Sequence, residues 1–320
     1  MDWSDRIGRR LKPRDLHFLL TVVEAGSMAK AASLLGCSRP VVSKTIADLE
    51  SVLAVKLLDR TSSGIEPTQY GKALLSRSIA VFDELRQSVK EIEFLADPGA
   101  GELRIGISEV PAGGIVPVAI DRLVRSFPRM RVFTRQGAND AVLGHLRERR
   151  SEVSIVRPPP SAEDLELSPL LHERLFVVAG LNNSLCRARK LELSQLRDAP
   201  WIQSYAEIAP GGPTFDAFNS LGLPTPRCVV ISDSLNLRFG LLKTGRFVTM
   251  IPGSVLNYGP TRAEIKVLPI RPLQWSTPTA IATLKGRTLS PLAQLFVEEM
   301  KSLAAPLREL HFHGRLRRRP

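Results

Sequence analysis

Apolar positions in the first sixty residues recur at helical spacing, with short breaks between the runs. Helical periodicity ends near residue 25, resumes over 28–35 and stops at Gly36-Cys37 before a third run begins. In this third run the apolar residues are spaced by four, three and four positions, which places them on one helix face: Val42, Ile46, Leu49 and Leu53. The pattern predicts a three-helix cluster whose third helix buries this stripe.

The opposite face of the third helix is polar and basic at its N-terminal end, where it carries Arg39, Pro40, Ser43 and Lys44. Ser38 precedes the helix, and we expect its hydroxyl to cap the first turn. Pro40 is tolerated there because a first-turn residue gives up no hydrogen bond within the helix. The end of this helix is therefore predicted to be a polar, solvent-facing surface.

Residues 57–68 form two short extended segments around Ser62-Ser63-Gly64, which predicts a hairpin or wing. Residues 72–96 then contain neither glycine nor proline and predict one long helix. Its apolar residues alternate spacings of three and four, as in a coiled-coil seam: Phe82, Leu85, Val89 and Ile92, with Leu75 one heptad before. We interpret this helix as a dimerisation element, while packing against its own domain stays an alternative.

The pattern changes after residues 97–101, whose sequence Asp-Pro-Gly-Ala-Gly predicts a hinge. Short strands then alternate with helical stretches, which indicates an open α/β domain with a mostly parallel sheet. The predicted strands are 103–107, 130–134, 153–156, 174–179, 201–204, 228–232, 247–251 and 277–284. The expected divisions are 1–70, a helix at 71–97, a hinge at 98–101, an α/β domain at 102–306 and a basic, disordered tail at 307–320.

Charge and cysteine content narrow the class of protein. The net charge of +12 favours a polyanionic partner, although the only true basic run is Arg315–Arg319. The three cysteines form no C-x-x-C pair and are interpreted as ordinary thiols in a reducing compartment. No run approaches the roughly 20 apolar residues of a membrane span. We therefore expect a soluble, cytoplasmic protein that does not enter a membrane.

Residues 16–71 resemble the N-terminal domain of the LysR-type transcriptional regulators. The matching segments are Ser27–Leu35, corresponding to the family's second helix, Ser38–Ile46 with Leu49-Glu50, corresponding to its recognition helix, Leu57–Arg60 in the wing, and Pro67–Gly71 at the start of the linker helix. The resemblance implies a winged helix-turn-helix that binds double-stranded promoter DNA. It further implies a homodimer, assembled as a dimer of dimers, that works with RNA polymerase.

The resemblance assigns DNA contacts to Arg39, Pro40, Ser43 and Lys44 in the recognition helix and to Arg60 beside the wing. Short polar and basic side chains at a helix N-terminus can approach base edges in a major groove. Many family members carry glutamine where this chain has Arg39, and arginine would favour guanine at the corresponding base. Arg60 would contact the phosphate backbone or minor groove and fix the register. We interpret Ser27 and Thr68 as structural caps.

The segment Gly101–Ile107, together with Phe127-Pro128, resembles the opening of the family's effector domain, which is two-lobed like the periplasmic binding proteins. Ser108 follows the first strand and precedes a helix expected to begin around 112–115, so its hydroxyl and nearby backbone N–H groups could hold an anion. Matching segments place the rest of the cleft near Glu109, Val110, Pro159, Ala209 and Pro210. The implied effector is a small anionic or polyhydroxylated metabolite. Ser154 and the three prolines at 158–160 depart from the family pattern, so the effector cannot be copied from a relative.

Other classes of protein find less support. The sequence contains no G-x-S-x-G, P-loop, H-E-x-x-H or G-x-G-x-x-G motif, so we expect no catalytic residue, metal ligand or cofactor. A nucleoid-type protein that binds DNA without sequence preference is the main alternative, but it would not need a large α/β domain. A transport binding protein is disfavoured because we recognise no export signal.

Overall fold

The computed structural model of the chain describes residues 11–61, 64–259, 262–270 and 276–313. The chain divides into two compact units, residues 1–86 and residues 87–320. The boundary falls inside one long helix, and each unit is described by itself below.

The first unit is a three-helix cluster followed by a hairpin. It contains α1 (Pro13–Ala25), α2 (Met28–Leu34), α3 (Arg39–Leu53), β1 (Leu58–Thr61) and β2 (Gly64–Pro67), and the long helix α4 (Gln69–Ala96) begins here. The predicted stripe on α3 is confirmed, since Val42, Ile46 and Leu49 are buried. They pack with Leu19 and Val22 of α1 in one apolar core.

Local signals fix the turns of this unit. Gly26 ends α1 in a left-handed conformation, with φ of 68°, and the Ser27 hydroxyl accepts a hydrogen bond from the Lys30 N–H. The Ile65 N–H donates to the Gly26 carbonyl at 3.1 Å, which attaches the hairpin to this turn. The expected Ser38 cap was wrong: its side chain makes no capping bond, and only its carbonyl accepts bonds from the first turn of α3.

The second unit is an α/β domain. Its strands are β3 (Ala100–Ile107), β4 (Arg129–Gln136), β5 (Val153–Val156), β6 (Leu165–Gly180), β7 (Trp201–Gln203), β8 (Cys228–Ile231), β9 (Val248–Pro252), β10 (Ile265–Val267) and β11 (Ser276–Leu284). Its helices are α5 (Glu109–Gly113), α6 (Ile115–Ser126), α7 (Asn139–Arg147), α8 (Tyr205–Ile208), α9 (Pro213–Asn219), α10 (Leu235–Lys243), α11 (Gly253–Tyr258) and α12 (Pro291–His313). Short 3-10 helices occur at Ser184–Arg187, Leu193–Leu196 and Arg262–Glu264.

The strands form two lobes joined by β6. The strand order is β4-β3-β5-β11-β6-β9-β7-β8, with β10 beside β6. The first half of β6 pairs with β11 in lobe 1, and its second half pairs with β9 and β10 in lobe 2. Each lobe has its own apolar cores. The two-lobed fold implied by the resemblance is therefore present.

The expectation of a mostly parallel sheet was wrong. Strand β3 runs parallel to β4 and β5, and β7 runs parallel to β8 and β9. The pairs of β6 with β9, β10 and β11, and of β11 with β5, are antiparallel. The sheet is mixed because β6 and β11 carry the chain between the lobes instead of following a helical crossover.

Two expected boundaries also shift. The expected hinge at 98–101 contains the start of β3, which pairs with β4 from Ala100 onward. Helix α12 continues to His313, so the expected tail cannot begin at 307, and the remaining tail residues, 314–320, lie outside the described ones. None of the helices over the described ranges combines the length and apolarity needed to cross a bilayer.

Candidate functional site

The N-terminal end of α3 presents the predicted DNA-binding residues on its outer face. Arg39, Pro40 and Lys44 are exposed, and Ser43 is half-buried. The adjacent Val41 is 38% exposed, whereas Val42 is fully buried, so the division between the two faces is sharp. The surface is cationic, small and polar, as a helix that enters a major groove requires.

Glu50 fixes the other end of α3 to the segment that leads into the hairpin. One carboxylate oxygen, Oε1, accepts hydrogen bonds from the N–H groups of Leu57 at 2.8 Å and Leu58 at 3.3 Å. The other, Oε2, lies 2.6 Å from the Lys56 ammonium. Burial by itself raises the pKa of Glu50, but these hydrogen bonds and the Lys56 charge outweigh it and lower the pKa. The ionised carboxylate thus holds α3 in register with the wing.

The wing is present as a two-stranded hairpin in which Arg60 pairs with Ile65. Ser62 and Ser63 at its tip, and the Arg60 side chain, lie outside the described residues. Thr68 is a structural cap, as expected. Its hydroxyl donates to the Lys56 carbonyl at 2.7 Å and accepts from the Gly71 N–H at 3.1 Å, which joins the wing to the start of α4.

Ser108 ends β3 at the boundary of lobe 1. Its N–H and its hydroxyl both donate to the Ile155 carbonyl, at 3.0 Å and 3.2 Å. The helix expected to begin around 112–115 is in fact two helices, because α5 starts directly at Glu109 and α6 follows at Ile115. Ser108 therefore precedes a helix of only five residues.

Glu109 and Val110 connect the two lobes. Glu109 accepts hydrogen bonds from the Gln136 side-chain amide of lobe 1 and, at 2.8 Å, from the Leu235 N–H at the start of α10 in lobe 2. Val110 packs against a lobe 2 cluster that includes Leu235 and Phe239. These two residues lie where the lobes meet.

The other predicted cleft residues occupy separate loops. Pro159 lies half-buried in the segment after β5, and Ala209 and Pro210 lie exposed at the end of α8. Among the described residues, the hydrogen bonds of Glu109 lead to α10 and β4 and not to these loops. The structure thus joins Ser108, Glu109 and Val110 at the lobe boundary and leaves the other three apart.

The sequence gave no indication of a buried ion pair in lobe 2. The Arg238 guanidinium, with a side chain 4% exposed, donates to both Glu207 oxygens at 2.9 Å and 2.8 Å. It also donates to the Ser232 carbonyl at the end of β8. Since the partners are 31 residues apart and obey no local spacing rule, only the tertiary fold could reveal that this pair anchors the loops after β7 and β8.

A winged helix-turn-helix followed by a two-lobed α/β domain defines a DNA-binding regulator with a ligand-binding domain. Two family profiles match this division: "Bacterial regulatory helix-turn-helix protein, lysR family" over residues 13–72 and "LysR substrate binding domain" over residues 96–305. The second profile alone covers more than half of the chain. The chain therefore belongs to the LysR family of DNA-binding transcriptional regulators, whose members bind promoter DNA and small-molecule effectors.

Curated relatives and solved structures agree with this assignment. The chain is 26% identical to the HTH-type transcriptional regulator GbpR of Azospirillum brasilense, over 92% of this chain and 86% of that protein. It is 25% identical to the transcriptional dual regulator GltC of Bacillus subtilis, over 89% and 95% of the two chains. A full-length OxyR variant from Pseudomonas aeruginosa shares the fold with a TM-score of 0.64 at 20% identity, covering 97% of this chain and 99% of that one.

Proposed function

We propose that the N-terminal end of α3 reads promoter DNA, with Arg39, Pro40, Ser43 and Lys44 at base edges and phosphates and Arg60 at the backbone beside the wing. The observation that carries this proposal is the sharp division of α3 into a buried apolar face and an exposed cationic end. A structure of CbnR, which shares this fold, is described as complexed with its target DNA (TM-score 0.53, 23% identity, 92% of this chain and 100% of that one).

The test is a binding titration with Lys44→Ala and Arg39→Ala in the full chain. Lys44→Ala should weaken binding to every duplex and reduce the salt slope by about one unit, because a phosphate contact supplies affinity without reading sequence. Arg39→Ala should relax preference at one base pair by roughly 1 to 3 kcal/mol. Lys190→Ala, an exposed lysine of lobe 2, is the control. Unchanged binding by both α3 variants would remove this helix end from the interface.

The same titration separates a specific regulator from a nucleoid-type binder. DNA from the region upstream of the regulated genes should be bound at least about a thousandfold more tightly than random DNA at the same salt concentration. We further propose that α4 pairs two chains, that two dimers assemble on the promoter, and that RNA polymerase is contacted there.

We propose that the effector binds at the lobe boundary beside Ser108, Glu109 and Val110, with the loops of Pro159, Ala209 and Pro210 completing the cleft. The Glu109 carboxylate in the first turn of α5 repels a simple anion, so the polyhydroxylated alternative fits this boundary better than the anionic one. A hydroxyl donor can bind a carboxylate, and the Ser108 oxygen keeps acceptor capacity.

A thermal-shift screen of sugars, polyols and small carboxylates tests this site. A ligand at about 100 times its dissociation constant should stabilise the protein by about 2.7 kcal/mol. Ser108→Leu should abolish the shift while leaving DNA binding intact, because the two sites lie in different units. A shift that persists in full in Ser108→Leu would place the effector elsewhere.

A further inference from the structure

The outer face of the sheet in lobe 1 carries an arginine cluster that the effector site does not use. Successive side chains of a strand point to opposite faces. Arg131, Phe133 and Arg135 of β4 therefore share one face, and the parallel register places Arg104 of β3 beside Phe133. We call these four residues the arginine face.

The arginine face is open to solvent. Helix α7 covers the same side of the sheet only at its far end, where Val142 lies against Gly106. Phe133 is 45% exposed, and the Arg104 guanidinium lies 5.1 Å from the centre of its ring. Arg131 and Arg135 are exposed as well. An exposed aromatic ring flanked by arginines is a surface suited to nucleic acid.

The charge of this face is not balanced locally. Glu102 is its nearest carboxylate, and a hydrogen bond from Arg104 together with the charges of Arg104, Lys90 and Arg131 lowers the pKa of Glu102. One carboxylate therefore faces several cations. The imbalance extends over the whole unit: residues 87–320 hold 31 of the 44 Lys and Arg but 22 of the 32 Asp and Glu, which is +9 of the net charge of +12.

Protection of a sheet edge explains only part of the cluster. Strand β4 is the edge strand of lobe 1, and charged side chains on an edge strand discourage pairing with another chain. Arg104, however, lies on the interior strand β3, between β4 and β5. An exposed phenylalanine on an edge would favour self-association instead of preventing it.

We propose that the arginine face is a second, sequence-independent contact with the phosphate backbone of the DNA that the recognition helix binds. This inference rests on the proposed DNA-binding function. Once α3 holds the duplex, the local concentration of phosphate near the rest of the protein is high, so contacts too weak to act alone add affinity. DNA carries one charge per about 1.7 Å of axis, which makes it the polyanion best matched to a cluster of fixed arginines.

The test measures the salt dependence of binding by the full chain to a duplex of about 60 bp, which spans several turns of about 10.5 bp each. Arg131→Gln/Arg135→Gln should reduce the slope of log K against log salt by about 1.8, at about 0.9 for each lost contact, and weaken binding by about tenfold or more at 0.1 M salt. Arg131→Lys/Arg135→Lys keeps the charge and should retain the slope. Arg189→Gln/Lys190→Gln removes the same charge from an exposed loop of lobe 2 and should also leave the slope unchanged.

The outcomes are separable. A slope that stays at the wild-type value in Arg131→Gln/Arg135→Gln overturns the proposal, as does an equal loss in the lobe 2 control, which would show a general charge effect. If Lys44→Ala reduces the slope in the same assay while the arginine-face variant does not, the proposed DNA-binding function stands and the second contact falls. Loss of binding to an acidic protein partner with DNA binding intact would likewise overturn the proposal.

Discussion

Two glutamates, both largely buried, carry opposite electrostatic consequences. Glu50 accepts two backbone hydrogen bonds and an ion pair, and its pKa is lowered. Glu173 on β6 is 2% exposed, and burial raises its pKa because only the Ser254 N–H, at 3.1 Å, offsets the lost hydration. The same substitution, glutamate to glutamine, should therefore change stability in opposite directions at these two positions.

Glu50→Gln should destabilise the first unit by about 1 to 2 kcal/mol at about pH 7, because hydrogen bonds to a charged acceptor are stronger than those to a neutral one. A lowered pKa stabilises the fold above the ordinary value of 4.5 and loses that effect as pH falls through the folded-state pKa. The difference between wild type and variant should therefore shrink in acid. Calorimetry of the full chain over a pH series measures it, and a constant difference at every pH would contradict the argument.

Glu173→Gln should stabilise the second unit at neutral pH. A raised pKa contributes stability below the unfolded value, and this contribution is lost as pH rises through the folded-state pKa. Glutamine can keep the acceptor for the Ser254 N–H and avoids burying a charge. The variant should melt higher than wild type near neutral pH, with the gain vanishing toward about pH 4, below the ordinary pKa of the carboxyl. A lower melting temperature at neutral pH would show that the carboxylate has a stabilising partner.

At the residue scale, sequence periodicity predicted exposure well and contacts poorly. Arg39, Pro40 and Lys44 were placed on the outer face of α3 because the apolar stripe fixed the opposite face. The partners of Glu109 were not foreseen, since Gln136 and Leu235 are brought to it only by the tertiary fold. Distance along the chain removes the signal that helical spacing provides.

At the scale of elements, the errors have identifiable causes. The first half of β6 was missed because Pro169 interrupts the strand pattern, and the structure accommodates it beside a register shift at Thr279/Ala280. Strand β10 was missed because it has only three residues. The length of α4 was predicted almost fully, from 71–97 against the observed Gln69–Ala96.

The predicted seam on α4 needs one correction. Phe82 packs edge-on against the His17 ring, and Leu75 packs in the core of the first unit, so neither belongs to the exposed face. The exposed stripe instead begins at Val81 and continues along one side of the helix: Val81 is 43% exposed, Leu85 51%, Val89 54%, Ile92 66% and Leu95 74%. Such a stripe is the surface that a second helix would cover.

Leu85→Lys/Val89→Lys should convert the dimer to a monomer and weaken DNA binding, because like charges would face each other across the seam and two half-sites could no longer be held together. Glu91→Lys introduces the same charge change at an exposed position outside the stripe and is the control. Analytical ultracentrifugation gives the oligomeric state. A folded dimer in the double variant would reject α4 as the pairing surface.

At the scale of the whole molecule, the segment expected to be a hinge is held in place. Asp97 is paired with Arg129, the Ala100 N–H donates to the Asp97 carbonyl at 3.0 Å, and β3 begins at Ala100. The end of α4 is also attached to lobe 1, because the Lys90 ammonium lies 2.8 Å from Glu152, with side chains 12% and 2% exposed. The composition of residues 97–101 predicted a turn correctly but could not reveal these tertiary bonds.

This attachment makes the end of α4 and lobe 1 one body, so a change in lobe 1 can reach the linker helix only while the Lys90 to Glu152 pair is intact. Lys90→Met should leave Glu152 with the Ser290 N–H, at 3.2 Å, as its remaining partner, and removing one member of a buried pair costs about 3 to 5 kcal/mol. Hydrogen exchange at residues 87–96 should then become faster, because local opening no longer has to break the pair. Lys72→Met, at an exposed position near the start of α4, should leave this exchange unchanged. Binding to a DNA duplex should stay near the wild-type level, since α3 and the wing are not altered. Unchanged protection of residues 87–96 in Lys90→Met would show that apolar packing of Phe94 against the lobe 1 core holds the helix end by itself.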